Sequence, residues 1–171
     1  MDRQTELYEE ASTAYGAAIR RLARGYEADT DRRGDLLQEI HVELWRSLRL
    51  FDGRCSLQTW VYRVAHNVAA SHIARSRRVS ARLVDLDALT AELGFLDGEV
   101  AANRHLYVSR LLERIHRLKP LDRQIILLYL EGETAIAMAE VTGLSAANVA
   151  TKIHRIKRLL SRESGATHGA Q

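Results

Sequence analysis

Hydrophobic positions in the chain recur at helical spacing almost throughout. Leu37, Ile40, Leu44 and Leu48 fall at i, i+3, i+7 and i+11, which predicts a helix over roughly 32–49, capped by Asp31 or a neighbour. A weaker amphipathic pattern predicts a helix over 5–27. The stretch FDGR then breaks the period, because glycine after aspartate tolerates the positive φ of a tight turn. Ser56 is a good N-cap for a third helix over about 57–78, with Leu57, Val61, Val64 and Val68 as its core stripe. Farther on, periodic segments predict helices over 100–118, from Pro120 through Tyr129, over 134–142 and over 145–162. In the last of these, Val149, Ile153, Ile156 and Leu160 form one buried stripe.

Composition agrees with an all-α chain. One proline and 6% aromatic residues in 171 argue against a sheet sandwich, while 46% hydrophobic content supports a core. A single cysteine, Cys55, excludes an internal disulfide and fits a reducing, cytoplasmic compartment. The opening MDRQTELYEE lacks the apolar run of a signal peptide, and no run of 18 apolar residues exists to insert in a membrane. The net charge of +3 decides little, but its distribution is uneven. Arg75, Arg77, Arg78 and Arg82 are followed by Asp85, Asp87, Glu92, Asp97 and Glu99. The expected organisation is two small helical domains, 1–78 and 99–171, joined by a linker over 79–98.

The C-terminal end reads as a helix-turn-helix. Ala139 is small enough for close helix approach, Gly143 can take the turn, and Ser145 caps the second helix. That helix carries Asn148, Thr151, His154, Arg155 and Arg158 opposite its apolar stripe, with Lys152 and Lys157 on the flanks. From Ser145 to Arg162 there are five Lys or Arg residues and no acid. Such a face fits the major groove of duplex DNA. The same bias also fits cations gathering at the negative end of a helix dipole.

A second constellation surrounds FDGRCSLQTWVYRVAHN. Trp60, Arg63, Asn67 and Arg78 lie along one stripe that joins the Phe51–Ser56 loop to the arginine run. Aromatic faces beside guanidinium groups are what unpaired bases stack on, at about 1–3 kcal/mol per base. The competing reading is that Trp60 simply closes the core.

The segments DLLQEIHVELWRSLRLFDGRCSLQTWVYRVAHN and LKPLDRQIILLYLEGE…GLSAANVATKIHRIKRLL resemble, in order, the second and fourth conserved regions of the extracytoplasmic-function (ECF) sigma factors of bacterial RNA polymerase. The resemblance implies a region 2 helical bundle and a region 4 helix-turn-helix. It implies a transcription-initiation subunit that binds core RNA polymerase, recognises two promoter DNA elements and opens the duplex. By this resemblance Asp35, Gln38 and Glu39 dock on the polymerase. Phe51, Asp52, Gly53, Arg54, Cys55, Ser56, Trp60, Tyr62, Arg63, Asn67, Arg75, Arg77 and Arg78 serve the downstream element and its separated strand. Ser145, Asn148, Thr151, Lys152, His154, Arg155 and Arg158 serve the upstream element. Ala137 and Ala150 stand where the family often has an acidic and a basic residue. Anti-sigma partners are common in the group, and nothing in the sequence singles one out.

Two other classes compete. A helix-turn-helix regulator acting without polymerase would leave Asp35–Glu39 and the aromatic stretch idle. An enzyme needs a constellation that is missing: His41-Val42-Glu43 has no downstream Pro-Cys-x-x-Cys, and no HExxH, phosphate-cradling glycine loop or serine elbow occurs. No catalytic residue, metal site or cofactor is expected.

Overall fold

The computed structural model describes residues 2–82 and 99–165, and side chains outside 79–82, 99–103 and 162–165. Among the described residues there are seven α-helices and no strand. They are α1 (Arg3–Tyr26), α2 (Thr30–Leu48), α3 (Leu57–Arg82), α4 (Glu99–Arg117), α5 (Pro120–Leu130), α6 (Ala135–Thr142) and α7 (Ala146–Gly165). The chain divides into two compact units, Met1–Gly94 and Phe95–Gln171. The all-α expectation holds. Helix α3 runs on to Arg82, into the segment expected as linker; residues 83–98 of that linker lie outside the described residues.

In the first unit α1, α2 and α3 each pack against the other two. Asp29, not Asp31, caps α2, its side chain accepting the Arg32 N–H at 2.9 Å. Asp31 instead sits in the first turn, where a negative charge suits the helix dipole. The buried stripe of α2 is Leu36, Ile40, Leu44 and Leu48, so Leu36 replaces the expected Leu37. On α3 the face is rotated as well. Val61, Tyr62, Ala65, His66, Ala69 and His72 are buried, while Leu57, Val64 and Val68 are only half-buried. A helix pressed against two others needs small residues where backbones approach, and Ala65 and Ala69 provide them. Tyr62 and His66 fill the wider space beside Tyr15 and Tyr26. Apolar periodicity alone favours the valines, of which Val61 is buried and Val64 and Val68 are not, and does not show this rotation.

The turn before α3 forms as expected. Gly53 has φ 78°, and the Ser56 hydroxyl accepts the Thr59 N–H at 3.0 Å.

In the second unit α5, α6 and α7 pack on one another and α4 lies against α5. Ile115, Ile125, Leu128, Met138, Val149 and Ile156 form its centre; Ile153 and Leu160 are half-buried at the margin. Pro120 opens α5. Thr134 caps α6 by accepting the Ala137 N–H at 3.1 Å. Gly143, at φ 76°, ends α6 and donates its N–H to the Ala139 carbonyl at 2.9 Å. The Ser145 hydroxyl then accepts the Asn148 N–H at 3.2 Å and starts α7. Arg123, 3% exposed, donates to the Ile115, His116 and Leu118 carbonyls and so closes the C-terminal end of α4.

Candidate nucleic-acid interface

Helix α7 exposes Asn148, Thr151, His154, Arg155, Lys157 and Arg158. Ser145 is spent as the cap, and Thr151 donates its hydroxyl to the Ala147 carbonyl at 3.0 Å. Three of the cations are not loose. Asp122, in the first turn of α5 and 6% exposed, accepts Lys152 Nζ on one carboxylate oxygen at 3.0 Å. Its other oxygen accepts the Arg155 guanidinium at 2.8 Å. Lys152 is thereby half-buried behind the helix face, whereas the Arg155 side chain remains 58% exposed. Lys157 donates to the Tyr129 hydroxyl at 3.0 Å with its ammonium 4.9 Å from the ring centre. The sequence pattern of α7 gave the exposed set but could not show Asp122, which is 30 and 33 residues away from its partners.

The loop before α3 and the start of that helix make the second surface. Phe51 meets the Trp60 ring edge-on, with centroids 5.4 Å apart. The indole N–H of Trp60 donates to Ser47 Oγ at 3.1 Å, and Ser47 donates in turn to the Leu44 carbonyl at 3.0 Å. Trp60 is therefore half-buried, both a closure of the core and a partly open ring. Arg54 folds back on Asp52, its N–H and its guanidinium both held by that carboxylate. Cys55 is half-buried as a free thiol. Arg63, Asn67, Arg77 and Arg78 are exposed. Tyr62, expected on this surface, is not there: at 3% exposure it packs in the core against Tyr15 and His66. It follows Val61 on the inward side of α3, two positions out of phase with Trp60.

Asp35 and Gln38 are exposed on α2. Glu39 is more constrained, since its carboxylate accepts from Arg75 and from His72 Nδ1 at 3.3 Å. His72 also stands 3.8 Å from Glu27. Glu39, Val42, Glu43, Arg46, Asn67, Val68, Ser71 and Arg75 line an open groove of about 490 Å³ between α2 and α3. Val42 and Trp45 are about half exposed on the same helix, an apolar contribution the polar reading of this face omitted.

Two further histidines, His66 and His41, are placed structurally. The His66 ring accepts or donates at Nδ1 to the Tyr26 hydroxyl at 3.0 Å, and burial pushes its pKa down to about 3. His41 is lowered by burial and then by the charge of Arg20. Among the described residues, no group of three or more His, Cys, Asp or Glu is placed to hold a metal ion. No described helix is long and apolar enough to cross a membrane.

Comparison with known proteins is consistent along the chain. A family model for Sigma-70 region 2 matches residues 12–79, and one for Sigma-70, region 4 matches 109–160. The RNA polymerase sigma-H factor of Pseudomonas aeruginosa is 30% identical over 124 residues, covering 72% of this chain and 62% of its own length. The ECF RNA polymerase sigma-E factor of Escherichia coli K12 is 32% identical over 121 residues, covering 68% of this chain and 59% of its own. The match thus spans about three fifths of each of these relatives. Among solved structures, the sigma factor RpoE of Bartonella quintana, determined with the anti-sigma factor NepR, has a similar fold. Its TM-score is 0.67 at 19% identity, over 91% of this chain and 94% of that one.

Proposed function

We propose, from the premise that the chain belongs to the ECF group of the sigma-70 family, that it binds core RNA polymerase and directs transcription initiation at specific promoters. The observation that carries this reading is the ordered pair of matches, region 2 on the three-helix unit and region 4 on the helix-turn-helix unit.

The first domain, residues 1–78, grips polymerase and the opened strand. Asp35, Gln38 and Glu39 with the exposed Val42 and Trp45 offer a mixed polar and apolar docking face on α2. Phe51, Asp52, Gly53, Arg54, Cys55, Ser56 and Trp60 take a base extruded from the downstream element, and Arg63, Asn67, Arg77 and Arg78 follow its backbone. Arg75 acts first on Glu39. The second domain, residues 99–171, reads the upstream element as duplex through Asn148, Thr151, His154, Arg155 and Arg158 of α7. Residues 79–98 join the two, the first four of them as the end of α3. Capture of a few bases offsets melting at about 1.4 kcal/mol per step.

In this reading the protein acts in the cytoplasm, without catalytic residues of its own, and an anti-sigma factor is a partner that would cover the same surfaces. The test is transcription in vitro with bacterial core enzyme and sequencing of the transcript starts. Starts clustered behind a shared pair of elements support the reading. Failure to co-elute with core enzyme, with duplex binding intact, would leave a regulator that acts without polymerase.

A further inference from the structure

The carboxylate of Asp122 lies behind the helix that offers cations to DNA. It is 6% exposed, yet both its oxygens are engaged by α7: Lys152 at 3.0 Å and Arg155 at 2.8 Å. A buried carboxylate with two charged donors is a stronger competitor for those cations than a solvated one, because little water screens it. Phosphate is the other ligand these groups would take. We infer that Asp122 is a positioning residue that withholds Lys152 and one edge of Arg155 from the phosphate backbone. It thereby lowers the sequence-independent affinity of α7 for duplex DNA and leaves the exposed remainder of Arg155 for a defined contact. The inference rests on the reading of α7 as a duplex-binding helix.

Counterion release makes the idea measurable. Each phosphate neutralised adds about 0.9 to the slope of log K against log salt. The probe is a mixed-sequence 30-base-pair duplex (a length chosen as about three helical turns), titrated with the full chain over a salt series. Asp122→Asn is expected to steepen the slope by about 0.9–1.8, as one or two cations become available. Placed on a Lys152→Ala, Arg155→Ala background, the same change should add nothing to the slope. Asp122→Ser, also neutral, serves as the second variant, and circular dichroism at the assay temperature verifies that each is folded. In a variant verified as folded, a steeper slope that disappears on the double-alanine background reports released cations.

An unaltered or shallower slope in the folded neutral variants overturns the inference. Arg158→Ala separates that failure from failure of the underlying reading. If it flattens the slope by about 0.9 while Asp122→Asn changes nothing, α7 binds duplex and only the role of Asp122 falls. If Arg158→Ala and Asp122→Asn both leave the slope as it was, the duplex-binding reading falls with it.

Discussion

Trp60 donates its indole N–H to Ser47 Oγ at 3.1 Å, which ties the first turns of α3 to the last turn of α2. With Phe51 edge-on at 5.4 Å, the ring is fixed in position while still partly open to solvent. A preorganised ring is what a stacking platform requires, since no ordering entropy remains to be lost when a base arrives. Trp60→Ala should lower open-complex yield by roughly 5- to 160-fold, the equivalent of one base stack of about 1–3 kcal/mol, with core-polymerase affinity little altered. Ser47→Ala removes only the tether, worth about 1 kcal/mol, and should cost no more than about fivefold. Permanganate footprinting of promoter DNA measures both. Equal yields in wild type and Trp60→Ala would return Trp60 to a purely structural role.

Gln38 separates docking from folding better than its neighbours. Glu39 is bonded to His72 and Arg75, so changing it disturbs α3 as well as any partner. Gln38 is exposed on α2 one position away. Gln38→Ala should weaken core-polymerase binding by about 2- to 13-fold, one hydrogen bond of about 0.5–1.5 kcal/mol, and leave the melting temperature within about 1–2 °C. Competition for core enzyme against a labelled wild-type chain gives the ratio. Unchanged affinity would move the docking face elsewhere on α2.

Much of the fold could be read from local rules. Asp-Gly at the turn, Ser56 and Ser145 as caps, Pro120 at a helix start and Gly143 at a helix end all depend on residues within four positions of one another, and each sits as expected. What local rules leave undecided depends on neighbours distant in sequence. Tyr62 is apolar enough to be buried and polar enough to be exposed; only the packing of α1 against α3, with Tyr15 beside it, decides for the core. Leu36 and Leu37 are chemically identical, and the packing of α2 against α1 and α3 buries the first. Asp122 and Arg123 look like ordinary first-turn charges, yet each is buried by partners 5 to 33 residues away. The candidate surfaces are therefore legible as sets of residues, Tyr62 excepted, but not as networks.

The buried His66 makes the first unit sensitive to acid. Its pKa is about 3 in the folded protein against 6.5 for the free side chain, so the fold keeps it neutral while the unfolded chain takes up a proton below 6.5. The stabilisation is fully present above pH 6.5 and is lost as pH falls toward 3, at up to about 1.4 kcal/mol per pH unit. Between pH 7 and pH 5 the unfolding free energy should drop by about 2 kcal/mol from this group. His66→Gln retains a partner for the Tyr26 hydroxyl and removes the titration, so its loss over the same interval should be shallower by that amount. Urea denaturation of both proteins at the two pH values decides it, and parallel losses would mean that His66 is not the acid-sensitive group.

Gly143 offers a test of the turn that fixes α7 relative to α6. Its φ of 76° lies in the left-handed region, and a β-carbon built there meets nothing within 4 Å. Crowding is therefore not an obstacle, and the cost of a side chain is the backbone conformation alone. Gly143→Ala should destabilise the second unit by about 1–2 kcal/mol. Gly143→Asn should cost less, because asparagine visits this region more readily. Arg123→Met provides the scale at the other end of the unit: it strips three carbonyls of a charged donor and should cost about 1.5–3 kcal/mol or more. Thermal melts followed by circular dichroism rank the three variants. Should Gly143→Ala melt with the wild type, the turn must open by a route other than left-handed backbone, and the Gly143 N–H to Ala139 bond at 2.9 Å would not be what ends α6.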